Sequence, residues 1–135
     1  MSGSVVVTHC NLGGELLRAA EFIMGKMKGI AAVSLDPAME TERLRRDVAA
    51  ALEKVDSGQG ILILTDMFGG TPSNISLSFL EEGRVDVVTG VNLPMLIHGA
   101  GRRSGKTLGQ LAEEVQHYGK RSISQAGQIL KKEVG

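Results

Sequence analysis

The chain has 135 residues, enough for one compact domain with a hydrophobic core, and we expect residues 1–135 to form a single domain. Its 15 basic residues balance 15 acidic ones, so overall charge argues against nucleic acid or an anionic membrane as a partner. One cysteine excludes an internal disulfide, and no segment resembles a signal peptide or a transmembrane helix. We therefore expect a cytoplasmic protein that meets a membrane only as a peripheral partner.

The N-terminal two thirds of the chain alternates between short apolar runs and helical patterns. Four runs have the apolar character of buried parallel strands: residues 4–8, 30–35, 60–64 and 85–90. Between them, apolar residues at helical spacing predict helices after Gly14, from about Leu44 to Val55, and over residues 72–80. Crossovers of this length favour parallel strands with right-handed connections. The sequence therefore predicts an α/β protein, a three-layer α/β/α sandwich whose mostly parallel sheet has the order 2-1-3-4.

The segment GAGRRSGK, residues 99–106, interrupts this alternation and predicts a flexible loop, because it is rich in glycine. Its cations Arg102, Arg103 and Lys106 form a local basic cluster. Most such clusters are solvated surface, and contact with a phosphate or a partner is the alternative.

The C-terminal part begins with another helix signal. Thr107 and Gln110 have the spacing of a capping box, which predicts a helix to about residue 117 that Gly119 ends. The following RSIS, residues 121–124, has the pattern of a short edge strand. We therefore expect a fifth strand near the C-terminus, followed by a frayed helix.

Two strand ends carry ionisable groups. The first strand ends in His9 and the third in Asp66. In the order 2-1-3-4 these strands are neighbours about 4.8 Å apart, on either side of the point where the strand order reverses. A carboxylate that accepts a hydrogen bond from one ring nitrogen leaves the other unprotonated and nucleophilic, and this arrangement favours attack on phosphorus. The sequence thus predicts a His–Asp pair at the position where this fold binds ligands.

Glycine-rich turns on both sides of this pair lead into helices. Gly13 and Gly14 precede one helix, and GGTPSN, in which Thr71 would be the N-cap, begins another. Free backbone amides at helix N-termini favour phosphate, whereas the absence of a Walker lysine argues against direct nucleotide binding. From the residues alone, a structural role for His9 and an Asx-turn at Asp66 remain open alternatives.

Other reactive side chains give weaker patterns. Cys10 has no evident activating base, which favours a role as a small buried hydrophobe. His9, Cys10, His98 and His117 lack the short spacing of metal ligands, so we predict neither a metal site nor a cofactor.

Three segments carry a family resemblance: VVVTHCNLGGELLRAAEFIMG, GILILTDMFGGTPSNIS and VTGVNLPMLI. Together they resemble the IIA domain of the mannose family of the bacterial sugar phosphotransferase system, from about residue 4 to 98 and weakly to 124. The resemblance implies that His9 is phosphorylated on Nε2 by the histidine-containing phosphocarrier protein and that Asp66 binds its Nδ1. The phosphoryl oxygens would be held by four consecutive residues: Phe68, Gly69, Gly70 and Thr71.

The resemblance also implies a mode of action and partners. The chain would be a phosphotransferase component, passing its phosphoryl group without a cofactor to a IIB component on a separate chain for sugar uptake. It would form a homodimer by exchanging the segment of about residues 119–135, which contains the fifth, antiparallel strand. The alternatives are a regulatory module that responds to phosphorylation and a phosphoryl donor for a dihydroxyacetone kinase. Cys10 and the loop of residues 99–106 depart from the family pattern.

Overall fold

A computed structural model describes residues 1–134, which form strands and helices in alternation. The strands are β1 (Gly3–His9), β2 (Ile30–Leu35), β3 (Ile61–Thr65) and β4 (Val85–Thr89). The helices are α1 (Leu12–Met24), α2 (Thr41–Val55), α3 (Gly70–Leu77), α4 (Leu108–Arg121) and α5 (Ala126–Val134). A π-helical turn (Met95–Gly99) and a 3-10 turn (Ala100–Arg102) lie between β4 and α4. Among the helices of this described part, none has the length and apolarity needed to span a bilayer.

The sheet has the order β2-β1-β3-β4 with every neighbouring pair parallel, which confirms the predicted core of the fold. Pairing between β1 and β3 ends at Val7 and Thr65. By contrast, β1 stays paired with β2 as far as His9 and Leu35. His9 therefore lies beyond the end of β3, beside the residues that follow that strand.

The two faces of the sheet bury separate apolar clusters, because successive side chains of a strand point to opposite faces. Val5 and Val7 pack in a cluster with residues of α2 and α3, such as Val48 and Ile75. Val6 packs on the other face with residues of α1 and α4. This alternation produces the predicted three layers and fixes which face each residue of β1 occupies.

The predicted fifth strand does not form in the described part of the chain. Residues 121–124 contain the end of α4 and an irregular segment, and α5 begins at Ala126. The prediction failed because Gly119 does not end α4. A Cβ at this position would lie 2.7 Å from Sδ of Met95, so Gly119 allows close packing inside the helix. In addition, an isolated strand leaves its amides and carbonyls unpaired unless a neighbour supplies an edge.

Arg103 is buried rather than part of a solvated loop. It is 4% exposed, and its guanidinium donates hydrogen bonds to the carbonyl oxygens of Ser2 at 2.7 Å, Gly29 at 2.9 Å and Lys28. These carbonyls lie where β1 and β2 begin. Arg103 therefore fixes the segment after the 3-10 turn against the amino-terminal edge of the sheet.

The other two cations of the predicted basic cluster do not share the buried position of Arg103. Lys106 forms an ion pair with Glu114 of α4, and Arg102 is exposed. With Arg103 buried against carbonyls, the segment of residues 99–106 does not present three cations at one surface. The cluster therefore supports no phosphate site.

Replacing Arg103 with methionine is expected to lower the free energy of unfolding by about 2–4 kcal/mol, because buried carbonyl oxygens lose their donors. Arg102→Met, at an exposed neighbour, should change it by no more than about 0.5 kcal/mol. Urea denaturation of both variants measures the difference. Equal effects of the two substitutions would show that the buried hydrogen bonds of Arg103 do not stabilise the fold.

Candidate functional site

The predicted His–Asp pair is present at the carboxyl edge of the sheet. Nδ1 of His9 lies 2.7 Å from Oδ2 of Asp66, and the same oxygen accepts the backbone N–H of His9 at 3.0 Å. The side chain of His9 is 43% exposed, whereas that of Asp66 is 11% exposed. The carboxylate thus holds both the backbone and the ring of a histidine that solvent and partners can reach.

The environment of Asp66 favours its ionised form. Burial opposes ionisation, but hydrogen bonds from the backbone amide and the ring of His9, with their electrostatic attraction, outweigh it and hold the pKa of Asp66 below its usual value. An ionised carboxylate only accepts hydrogen bonds, so Nδ1 of His9 carries a hydrogen, and in the neutral ring the free lone pair is on Nε2. Because folding lowers this pKa, the contribution of the pair to stability is complete above about pH 4 and is lost as the pH falls through the folded value.

The amino terminus of α3 lies next to the free ring nitrogen. A Cβ placed on Gly70, the first residue of α3, would lie 3.3 Å from both Cε1 and Nε2 of His9. Gly69 and Gly70 have φ angles of 92° and 84°, in the left-handed region that glycine adopts without strain. The first amides of a helix have no acceptor within it, so this turn offers free donors close to Nε2.

Thr71 lies inside α3 rather than at its cap. The helix begins at Gly70, two residues before the predicted start at Pro72, and Gly69 occupies the cap position without a side-chain bond. The side chain of Thr71 is exposed. The N-cap prediction was therefore wrong, because two glycines with positive φ start the helix earlier, and the Thr71 hydroxyl is left without a capping bond.

Cys10 is exposed, which corrects the prediction of a small buried hydrophobe. Its φ is 50°, and its amide donates to the carbonyl of Leu35 at 3.1 Å. The chain must turn from the end of β1 at His9 to the start of α1 at Leu12 within two residues. That reversal places Cys10 in a left-handed conformation and turns its side chain outward.

Large apolar side chains are exposed at this edge of the sheet, and the sequence reasoning missed them. Leu12, the first residue of α1, is 48% exposed, and Met67 and Phe68, between β3 and α3, are 54% and 75% exposed. The signal available in the sequence was the presence of large apolar residues directly after two strands, since exposed apolar patches often mark interaction sites.

His98 and His117 both lie beside Tyr118. The ring of His98 stacks on Tyr118 with 5.2 Å between the centroids, and His117 is exposed on α4. Within the residues that the structure describes, no three His, Cys, Asp or Glu side chains are placed to hold a metal ion. The four candidate ligands considered from the sequence therefore do not converge.

The fold and the site together define a class of protein: a small doubly wound α/β domain that presents a carboxylate-paired histidine at the switch point of its sheet. Residues 3–116 match the EIIA-man family model, described as "PTS system fructose IIA component". The chain belongs to this family, the mannose-type IIA components of the bacterial sugar phosphotransferase system.

Curated relatives and solved structures agree with this assignment. The chain is 33% identical over 94 residues to the PTS system mannose-specific EIIAB component of Escherichia coli K12, which is 69% of this chain but 29% of that protein. It is 28% identical over 131 residues to the PTS system fructose-specific EIIA component of Bacillus subtilis 168, covering 96% of this chain and 90% of that one. The PTS IIA protein associated with the fucose utilization operon from Streptococcus pneumoniae superimposes with a TM-score of 0.84 at 28% identity, covering 96% and 99% of the two chains.

Proposed function

We propose that this chain is a phosphoryl carrier that accepts a phosphoryl group on Nε2 of His9 and gives it to a IIB component for sugar uptake. The donor is the histidine-containing phosphocarrier protein, and the IIB component is a separate chain. The observation that carries this proposal is the 2.7 Å contact between Nδ1 of His9 and Asp66, which leaves Nε2 free beside the start of α3. Membership of the EIIA-man family supports it.

The transfer proceeds as a displacement at phosphorus. The lone pair on Nε2 of His9 attacks the phosphorus of the carrier's phosphohistidine, and a new P–N bond forms as the bond to the carrier breaks. The electron pair of the broken bond stays on the carrier's ring nitrogen. The hydrogen stays on Nδ1 and continues to be donated to Asp66, whose negative charge offsets the positive charge that the ring of His9 gains. A second displacement at the same phosphorus passes the group to the IIB component.

The turn between β3 and α3 holds the phosphoryl oxygens in this proposal. Its backbone amides lie at the amino terminus of a helix, where the helix dipole favours negative charge. Gly70 is close enough to Nε2 to contact a group bonded there, and the exposed hydroxyl of Thr71 is free to donate. Phe68 and Gly69 complete this phosphoryl-binding turn.

The experiment that tests this function starts with phosphocarrier protein bearing a radiolabelled phosphohistidine. Incubation with the chain should move the label to the chain in a form that acid removes and base does not. Addition of a IIB component should then remove it, and sugar with permease vesicles should yield a labelled sugar phosphate. Absence of transfer from the carrier would contradict the proposal. A label that stays on the chain with every IIB component tested would indicate a regulatory module instead.

We further infer that the single domain works in the cytoplasm as a homodimer that exchanges the segment of residues 119–135. The residues from 122 to 131 are all exposed, and they include Ile123, Ile129 and Leu130, which are 79%, 45% and 59% exposed. Burial of these side chains against a second copy would remove that apolar surface from water. Light scattering should give the mass of a dimer for the full chain and of a monomer for a chain that ends at Arg121. A monomeric full chain would contradict the exchange.

A further inference from the structure

Thr8, the residue before His9, forms hydrogen bonds to the backbone of residues that follow His9. Its side chain is fully buried, at 0% exposure. The hydroxyl oxygen accepts the backbone N–H of Gly13 at 2.8 Å and donates to the carbonyl of Cys10 at 3.3 Å. The hydroxyl therefore connects the end of β1, the turn after His9 and the first turn of α1.

Among residues 1–134, no other side chain caps α1. Asn11 occupies the cap position but makes no capping bond. Its side chain instead accepts from Ser34 at 3.0 Å and donates to Glu15 at 3.4 Å. Thr8 thus supplies from the strand the acceptor that a helix N-terminus ordinarily finds in its own cap residue.

Gly13 of α1 packs closely against the side chain of Thr8. A Cβ on Gly13 would lie 3.2 Å from Oγ1 and 3.3 Å from Cγ2 of Thr8, and 3.1 Å from Val6. The backbone of α1 therefore rests directly on both branches of the threonine. Valine has the same shape and would fill this space without either hydrogen bond, whereas serine would keep the hydroxyl and lose only the methyl group.

The strand that carries Asp66 repeats the arrangement. Thr65 is also fully buried, and its hydroxyl donates to the carbonyl of Met67 at 3.4 Å. The carbonyl of Thr65 accepts the amides of Gly90 and Val91 at 2.9 and 2.8 Å. A buried threonine thus precedes both His9 and Asp66. In each case its hydroxyl donates to the carbonyl two residues further along the chain.

We propose that Thr8 is a positioning residue for the phosphoryl transfer. Its hydroxyl fixes the backbone on both sides of His9, and Oδ2 of Asp66 binds both the backbone amide and the ring of that histidine. Rotation of the His9 backbone would therefore disturb both bonds to the carboxylate and change which ring nitrogen carries the hydrogen. The expected effect on the transfer rate rests on the proposed function, whereas the expected effect on the tautomer of the His9 ring does not.

Three variants test the proposal: Thr8→Val, Thr8→Ser and, as a control, Val48→Ala. Val48 is fully buried in α2, so the control loses buried methyl groups without touching the site. Nitrogen NMR of the unphosphorylated proteins measures the tautomer of His9, thermal denaturation measures stability, and single-turnover kinetics separate the transfer rate from the affinity for the carrier. Thr8→Val should raise the fraction of His9 with hydrogen on Nε2 and slow transfer about tenfold to a hundredfold at unchanged affinity.

Thr8→Ser should restore the wild-type tautomer and bring the transfer rate to within about threefold of wild type, since it keeps both hydrogen bonds. Val48→Ala should lower stability and leave the His9 signals unchanged. A wild-type His9 spectrum in Thr8→Val would overturn the proposal, as would equal slowing in Thr8→Val and Val48→Ala. If the wild-type chain accepts no phosphoryl group, the proposed function fails, and the NMR comparison still decides whether Thr8 positions His9.

Discussion

His9→Gln is expected to abolish the acid-labile label that the chain receives from the phosphorylated carrier. Glutamine keeps a polar side chain of moderate length but has no ring nitrogen with a free lone pair, so the P–N bond cannot form. The side chain of His9 is 43% exposed and its ring has one close partner in Asp66, so the fold should survive the change. Gel electrophoresis under alkaline conditions with radiolabelled carrier measures the label, and circular dichroism checks the fold.

The matched controls are the other two histidines. His98→Gln removes a ring that stacks on Tyr118, and His117→Gln removes an exposed ring on α4. Both variants should accept the label at the wild-type rate. Label on His9→Gln, or its loss in either control, would assign the phosphoryl group to a different residue and refute the site.

Gly70→Ala is expected to slow phosphoryl transfer about a hundredfold, the effect of misplacing reacting groups by about an ångström. The added methyl carbon would lie 3.3 Å from Nε2 of His9 and occupy space that the proposed transfer assigns to the phosphoryl oxygens. The same substitution places alanine at a φ of 84°, which costs about 1–2 kcal/mol in the left-handed region. A rapid-quench time course of labelling by the phosphorylated carrier measures the transfer rate.

Gly58→Ala separates these two effects. Gly58 has a φ of 87°, and a Cβ there would meet no atom within 4 Å. This control therefore shares the backbone strain of Gly70→Ala but leaves the ring of His9 clear. It should lose similar stability and transfer at the wild-type rate. Equal rates in the two variants would show that the phosphoryl group does not bind on the side of His9 that Gly70 faces.

The sheet and the His–Asp pair could be predicted because local patterns determine them. Four apolar runs separated by helical spacing fix parallel strands, and their order places the ends of β1 and β3 together. His9 and Asp66 lie at the ends of those strands. Their contact could therefore be predicted from the strand order alone. The helix cap at Thr107 was confirmed for the same reason, since a capping box depends on residues within one turn.

Two of the errors fall on residues whose role depends on partners distant in sequence, Gly119 and Arg103. Gly119 has the local pattern of a helix stop but packs against Met95, and Arg103 has the pattern of a solvated loop but binds carbonyls at the start of β1 and β2. Cys10 has apolar character, yet the reversal between β1 and α1 turns it outward. Spacing alone does not encode such contacts, and for that reason the fifth strand was predicted where the chain continues a helix.

The extension of β1 beyond its last pair with β3 has an evolutionary consequence. Side chains alternate between faces of a strand, so loss or gain of one residue within β1 would reverse the side on which every later residue of the strand lies. Val5, Val6 and Val7 would still lie on apolar faces, because both faces of the sheet bury apolar clusters. His9 would be turned away from Asp66, and Thr8 would lose its hydrogen bonds to Cys10 and Gly13. A single-codon deletion in β1 would therefore separate His9 from Asp66 even in a chain that still forms the sheet.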